Sequence, residues 1–170
     1  VLKEDSSLQF TVEDCHLGKV LIAKSKDGVC SILLGNDPGD LAEELGRIFP
    51  SERIEKSEMK GISRKVLRLI ENPRLKPDVP LDIRGTRFQK RVWSSVQNIP
   101  AGQTASYSQI ARDIGAPKSA RAVANACSSN VLAVAIPCHR AVRSDGKPSG
   151  YRWGIRLKRT LLRQESGDKR

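Results

Sequence analysis

Cys138 and His139 stand side by side at the end of an apolar run, in "AVAIPCHRAV" over residues 133–142. A thiol next to an imidazole supports three readings. The first is structural, since a cysteine closing a strand is most often a small buried hydrophobe. The second is a metal site, but His16 is the only other histidine, and the cysteines at 15, 30, 127 and 138 show no C-x-x-C spacing. The third is a nucleophile, which needs a cationic setting to bring the thiol below its ordinary pKa of about 8.5. His139, Arg140 and Arg143 are all within five positions of Cys138 and are expected to supply that setting. These residue types alone leave the structural and nucleophilic readings open.

Two further features lie downstream. "SDGKPSGYRWG" is a loop with two aromatic residues, Tyr151 and Trp153, and reads either as a pocket wall or as an ordinary connection. Glu165 closes "IRLKRTLLRQE", a basic helix, and an isolated carboxylate there can orient a histidine as the third member of a triad.

Elements must bring these residues together. Apolar, partly alternating stretches "SLQFTV", "GKVLIAKS" and "GVCSILLG" predict an antiparallel meander with short turns such as Lys26-Asp27-Gly28. "DPGDLAEELGRIF" predicts a helix capped by Asp37 with Pro38 at its first position. A second helix is expected over 58–70, with Met59, Ile62, Val66 and Leu69 on one face. "ENPRLKPDVPLDI" has three prolines and no helical period, so it reads as a linker between two lobes.

Beyond it, "TRFQKRVWSSVQ" predicts a helix capped by Thr86 that buries Phe88, Val92 and Val96. Ser106 and Gln109 have capping-box spacing, Gly115-Ala116-Pro117 stops that helix, and another starts near Ser119, the pattern of a helix-turn-helix. Its second helix alternates Ala120, Ala122, Ala124 and Ala126 with Arg121, Val123 and Asn125. Only Arg121 and Asn125 have the reach that base-edge readout needs. Small residues suit either a narrow groove or close helix packing, and the sequence leaves both open.

Charge separates the two halves. Residues 1–80 carry 13 Lys+Arg against 14 Asp+Glu, and residues 81–170 carry 17 against 5, so the net +11 belongs to the second half. Twelve of those 17 cations are arginine, which suits phosphate contacts and points to a polyanionic partner. No apolar run approaches the roughly 18 residues of a membrane span, no signal segment opens the chain, and unpaired thiols suit a reducing cytoplasm. The expectation is an α/β (α+β) protein in two domains. Residues 1–80 form a small N-terminal lobe with an antiparallel sheet and helices. Residues 81–170 form a mostly helical, winged-helix-like domain, with the helix-turn-helix at about 107–129 and an active strand and loop over 131–154.

"IPCHRAV", followed by "SGYRWG" and "LLRQE" and preceded by "SYSQIA" and "RAVANAC", resembles the O6-alkylguanine-DNA alkyltransferase family, most nearly the C-terminal part of its Ada-type adaptive-response members. The resemblance is close over roughly residues 82–166; the first half fits the family's variable N-terminal lobe in architecture only. It implies single-turnover transfer of a methyl group from O6-methylguanine, and from O4-methylthymine as a further substrate, to Cys138. His139 would act through a water as base, oriented by Glu165; Tyr107 would contact the base and Asn130 brace the turn before Cys138. Double-stranded DNA would be read from the minor groove, with Arg121 filling the vacated stack beside Ala120, Ala122, Asn125, Ala126 and Ser128. Cys127, Ala141, Gly150, Tyr151, Arg152 and Trp153 would line the base pocket with Tyr107.

Many relatives place a small residue and a glycine where this chain has Arg152 and Trp153, which narrows the expected pocket. The resemblance implies no metal and no cofactor, the alkylated DNA being its own donor. It also implies a cytoplasmic bacterial monomer, associated with the nucleoid when on DNA. Ada-type members carry an upstream zinc-binding regulatory domain, for which this chain has no cysteine cluster. Two rivals remain: a helix-turn-helix regulator without chemistry, against which the cysteine speaks, and a cysteine hydrolase, for which no oxyanion site can be named.

Overall fold

The computed structural model describes residues 7–167. It divides into two compact units, one running through Glu71 and taking back Pro77–Ile83, the other made of Asn72–Lys76 and the chain from Arg84 onward.

The first unit is built on a four-stranded sheet ordered β3-β2-β1-β4. Strands β1 (Ser7–Cys15), β2 (Gly18–Ser25) and β3 (Gly28–Gly35) form the expected meander, each antiparallel to the next. Strand β4 (Arg53–Lys56) pairs parallel with β1; its residues Arg-Ile-Glu-Lys have little apolar pattern, and it is absent from the elements expected above. Val20, Leu21, Ile22 and Ala23 are buried in succession on β2, so both faces of the sheet are covered at its centre.

Helix α1 (Pro38–Ile48) packs on β2 and β3, and α2 (Lys60–Glu71) on β1. Asp37 caps α1 by accepting from Asp40 N at 2.9 Å, and Pro38 takes the first turn, where its missing N–H has no partner to lose. Helix α2 starts two residues after the expected Glu58; Met59 is buried just ahead of it and Ile62 is half-buried.

The proline-rich segment is no free linker. Its later part lies along β3, with Val29 N donating to Pro80 O and Asp82 N to Val29 O, both at 2.8 Å. A Cβ on Gly28 would meet Pro80 O at 2.5 Å, so glycine is what lets this strap approach. Its earlier part, Asn72–Lys76, belongs to the second unit. The chain therefore changes unit three times between Glu71 and Arg84, not once at residue 80.

The second unit packs α3 (Arg87–Gln97), α4 (Tyr107–Asp113) and α5 (Ala120–Ser128) together, with α6 (Ile155–Ser166) closing the chain. Thr86 and Gln89 form a full capping box on α3. The apolar stripe of α3 differs from expectation: Val92, Trp93 and Val96 are buried, whereas Phe88 is only half-buried. Trp93 displaces it because its indole Nε1 donates to Ala126 O at 2.9 Å, fastening α5 to α3. Gly115, at φ +75°, makes the turn between α4 and α5.

The segment ahead of Cys138 is not the expected strand. Residues 131–137 form a buried irregular turn, with Ile136 N donating to Leu132 O at 3.0 Å, and Cys138–Arg140 form a single 3-10 turn. Asn130 captures the backbone groups a neighbouring strand would otherwise pair: it accepts from Leu132 N at 2.9 Å and donates to Ile136 O at 2.9 Å. Strand geometry resumes only at β6 (Ala141–Val142), which pairs parallel with β5 (Ala105–Ser106).

Candidate active site

The β5–β6 pair brings the site together, because Ala105 opposes Ala141 and Ser106 opposes Val142. Ser106 is also the N-cap of α4, accepting from Gln109 N at 3.0 Å. The first residue of α4, Tyr107, is thereby held beside the chain that leaves Cys138.

Cys138 is 2% exposed and His139 is wholly buried. His139 Nε2 lies 2.6 Å from Glu165 Oε1. Glu165 is an ionised acceptor, so Nε2 holds the hydrogen and Nδ1, buried without a partner among the described residues, is left as the acceptor. Arg140 fixes the carboxylate from its other side. Its Nε lies 3.1 and 3.0 Å from the two Glu165 oxygens, and its Nη1 and Nη2 donate to Ile99 O at 2.8 Å and Pro73 O at 3.0 Å. Burial alone would raise the carboxyl pKa, but donation from His139 and Arg140 outweighs it and holds Glu165 below its ordinary value.

The electrostatic setting of the thiol differs from expectation. Arg140 spends its guanidinium on Glu165 and two carbonyls, and Arg143 is exposed and paired with Asp145 at 3.6 Å. Neither lowers the thiol pKa. Burial pushes Cys138 well up and, despite Glu165, pushes His139 down. The resting pair is therefore a neutral thiol and a neutral imidazole.

A cation that does act to lower the Cys138 thiol pKa is Lys158, which in the sequence is one of several cations of a basic helix. It is 1% exposed, and its Nζ donates to Ala141 O at 2.6 Å, Ser149 O at 2.9 Å and Gly150 O at 3.1 Å. The same ammonium is 3.4 Å from Tyr107 Oη, and Tyr107 donates to Ser149 O at 3.1 Å. Burial brings the Lys158 pKa down to about 8. Only a clue of position was available in the sequence, since Lys158 falls one helical turn before Leu161 and two before Glu165 on one face of α6.

The remaining residues fall as follows. The Cys127 thiol, buried at the end of α5, lies against Cys138, and this contact lowers its pKa. Tyr151 meets His139 edge-on with ring centroids 6.5 Å apart, and Trp153 meets Tyr151 at 5.2 Å. Trp153 and Arg152 are half-buried, Ala141 is buried, and Gly150 is exposed. On α5, Arg121, Ala122, Asn125 and Ser128 are exposed and Ala120 is half-buried. Ala126, expected on that exposed face, is instead 3% exposed and turned toward α3. A cleft of about 470 Å³ lies between Tyr107, Ala120, Arg121, Ala124 and Arg143. Among the described residues no group of three or more His, Cys, Asp or Glu is placed to hold a metal ion.

The second unit thus joins a buried Cys-His-Glu set to the helix-turn-helix of α4 and α5. Residues 87–167 match the family described as 6-O-methylguanine DNA methyltransferase, DNA binding domain. The chain is 45% identical over 165 residues to the bifunctional transcriptional activator/DNA repair enzyme Ada of Escherichia coli, covering 96% of this chain and 47% of Ada. It is 42% identical over 173 residues to a methylated-DNA–protein-cysteine methyltransferase of Debaryomyces hansenii, covering 93% of this chain and 91% of that one. The crystal structure of the Mycobacterium tuberculosis protein OGT in complex with DNA superposes with a TM-score of 0.78 at 32% identity, covering 94% of each chain. This chain belongs to the O6-alkylguanine-DNA alkyltransferase family. It spans about half the length of the Ada proteins of E. coli and Salmonella typhimurium.

Proposed function

We propose that this chain repairs O6-methylguanine in double-stranded DNA by moving the methyl group to Cys138 Sγ in one displacement. The observation that carries the reading is the buried neutral thiol beside an imidazole whose Nε2 is tied to Glu165 at 2.6 Å, leaving Nδ1 free to accept. His139 Nδ1 takes the thiol proton through one water as sulfur attacks, and Glu165 stabilises the imidazolium without itself being protonated. The S–C bond forms as the C–O6 bond breaks, and the electron pair leaves on the purine. Tyr107 gives the departing purine a proton and is resupplied by Lys158 at 3.4 Å. Asn130 acts through the backbone, holding the turn that aims Cys138. The same displacement applies to O4-methylthymine.

A base inside a duplex cannot reach a thiol that is 2% exposed, so the lesion is flipped out. The exposed face of α5, with Ala120 and Ala122, suits a minor groove about 6 Å wide, and Arg121 occupies the vacated stack. Asn125 and Ser128 continue that face, whereas buried Ala126 supports it from behind. Tyr107, Cys127, Ala141 and the 150–153 loop form the base pocket. No metal or cofactor takes part. Free thiols suit a reducing cytoplasm, with nucleoid association when bound to DNA. A zinc-binding regulatory domain joined upstream would be a separate activity, and this part would work as a monomer.

Intact mass after mixing with an O6-methylguanine duplex tests the reading. One methyl per chain is expected on Cys138, saturating there because a thioether is chemically inert. Continued turnover in excess substrate would overturn it.

A further inference from the structure

A second cleft, of about 840 Å³, runs along the outer face of α3 and shares no lining residue with the cleft at Tyr107 and Arg121. Its walls include Arg87, Lys90, Arg91, Ser94, Asn98 and Thr104. Arg91 is committed to the carbonyl of Ile114 at the end of α4. Arg87 and Lys90 are exposed, and neither side chain has a hydrogen bond or ion pair among the described residues. The single acid in the lining, Asp113, already accepts from Gln109 at 2.9 Å.

The two free cations sit where folding disfavours them. Arg87 is the first residue of α3 and Lys90 lies in its first turn, at the positive end of the helix dipole, and no acid in that turn offsets them. They also repel one another across three residues. Ser94, Asn98 and Thr104 add side-chain donors with no partner among the described residues. A concave row of uncommitted donors and cations fits an anion with several acceptor oxygens. The remaining charge of this unit is basic as well, so the occupant is an extended polyanion.

We propose that the α3 cleft is a phosphate-backbone contact for duplex DNA, separate from the minor-groove contact of α5. This rests on DNA being the substrate. The two contacts divide the work: α5 positions the flipped nucleotide, and α3 adds sequence-independent affinity by displacing counterions.

The test uses an undamaged duplex, the full chain and the double variant Arg87→Ala/Lys90→Ala, with dissociation constants measured by anisotropy across a salt series. Each phosphate contact contributes about 0.9 to the slope of log K against log salt, so the variant slope should be shallower by about 2. Between 50 and 200 mM salt the wild type should then lose about tenfold more affinity than the variant. Methyl transfer from the free base O6-methylguanine should be unchanged, since that reaction needs no duplex. Ser94→Glu, which puts an anion in the cleft and leaves both cations in place, should weaken duplex binding and spare the free-base reaction. An unchanged salt slope in the double variant overturns the proposal, as does unaltered binding by Ser94→Glu. Failure of wild type to methylate Cys138 from the free base would instead count against the repair reading, so the two failures are distinguishable.

Discussion

The two units bury different things. The first buries Val20, Leu21, Ile22, Ile32 and Leu33, and its buried polar residues, among the described residues, are only Thr11, Ser25, Ser31 and Ser63. The second buries Asn130, His139, Arg140, Lys158 and Glu165, three of them carrying formal charge. Helix α1 has Asp40 in its first turn, whereas α2 in the same unit and α3, α4, α5 and α6 in the other have no acid there, so this feature alone does not separate the units. Buried ions and cations at positive helix ends both cost folding free energy. Among the described residues the first unit buries no ion, and the second gathers its buried ions around Cys138 and His139. Stability and chemistry are thus placed in different parts of one chain.

The largest test of that contrast removes the thiol. Cys138→Ala should abolish methyl transfer, read by intact mass, while duplex affinity stays within about twofold. The binding cations lie elsewhere, and a cysteine buried as a small hydrophobe exchanges well for alanine. Loss of binding in parallel would mean that Cys138 organises the DNA surface as well.

Removing a charge should cost very different amounts in the two units. Arg140→Met strands the Glu165 carboxylate and should lower the unfolding free energy by about 3–5 kcal/mol in denaturant titrations. Arg53→Ala, which breaks an exposed pair with Glu55 at 2.7 Å on β4, should cost less than about 1 kcal/mol. Glu165 gives the same contrast a pH signature. Its pKa is held below that of the unfolded chain, so its stabilisation is complete above the ordinary carboxylate range. It drains away as pH falls through the lowered value. Glu165→Gln should flatten that acid limb of stability, and an unchanged limb would assign it to other carboxylates.

Lys158 predicts an alkaline limb in the rate of transfer. Its pKa of about 8 means that the proton supply to Tyr107 and the clasp on Ser149 and Gly150 weaken as pH rises through 8. Single-turnover rates should fall above that pH, and Lys158→Met should be slower by at least about tenfold and lose the limb. A wild-type rate still rising with pH beyond 8 would show that thiol ionisation, not Lys158, governs that range.

Pocket size should have a smaller effect. Trp153 packs edge-on against Tyr151 at 5.2 Å, and Tyr151 edge-on against His139, which is why the proposed base pocket includes the indole. Wild type should accept O6-methylguanine well and O6-benzylguanine poorly, and Trp153→Gly should raise benzyl transfer by about tenfold relative to methyl. Equal wild-type rates would remove the tryptophan as gate. The smallest effects belong to the caps: Asp37→Ala on α1 and Thr86→Ala on α3 should each cost about 1 kcal/mol, since both lose a first-turn acceptor.

What the sequence determined by itself is mostly local. Helix starts at Asp37, Thr86 and Ser106 follow from side chains that bond backbone three residues away, and the meander follows from alternation over single strands. The "PCHR" motif and its companions were enough for the family, because those residue types in that order are rare by chance, and they pointed to Cys138, His139 and Glu165 as the candidate site. Tertiary structure decided what depends on neighbours distant in the chain. Only packing shows that Asn130 turns an apolar run into a braced loop, or that Arg140 serves Glu165 and leaves the thiol pKa high. Cys127 and Cys138, eleven residues apart, meet only because α5 and the 3-10 turn share one core. Lys158 looks like any surface cation of a basic helix until three carbonyls surround it. Capping and periodicity are fixed within a few residues of chain, whereas burial and charge environment depend on everything that folds around a group.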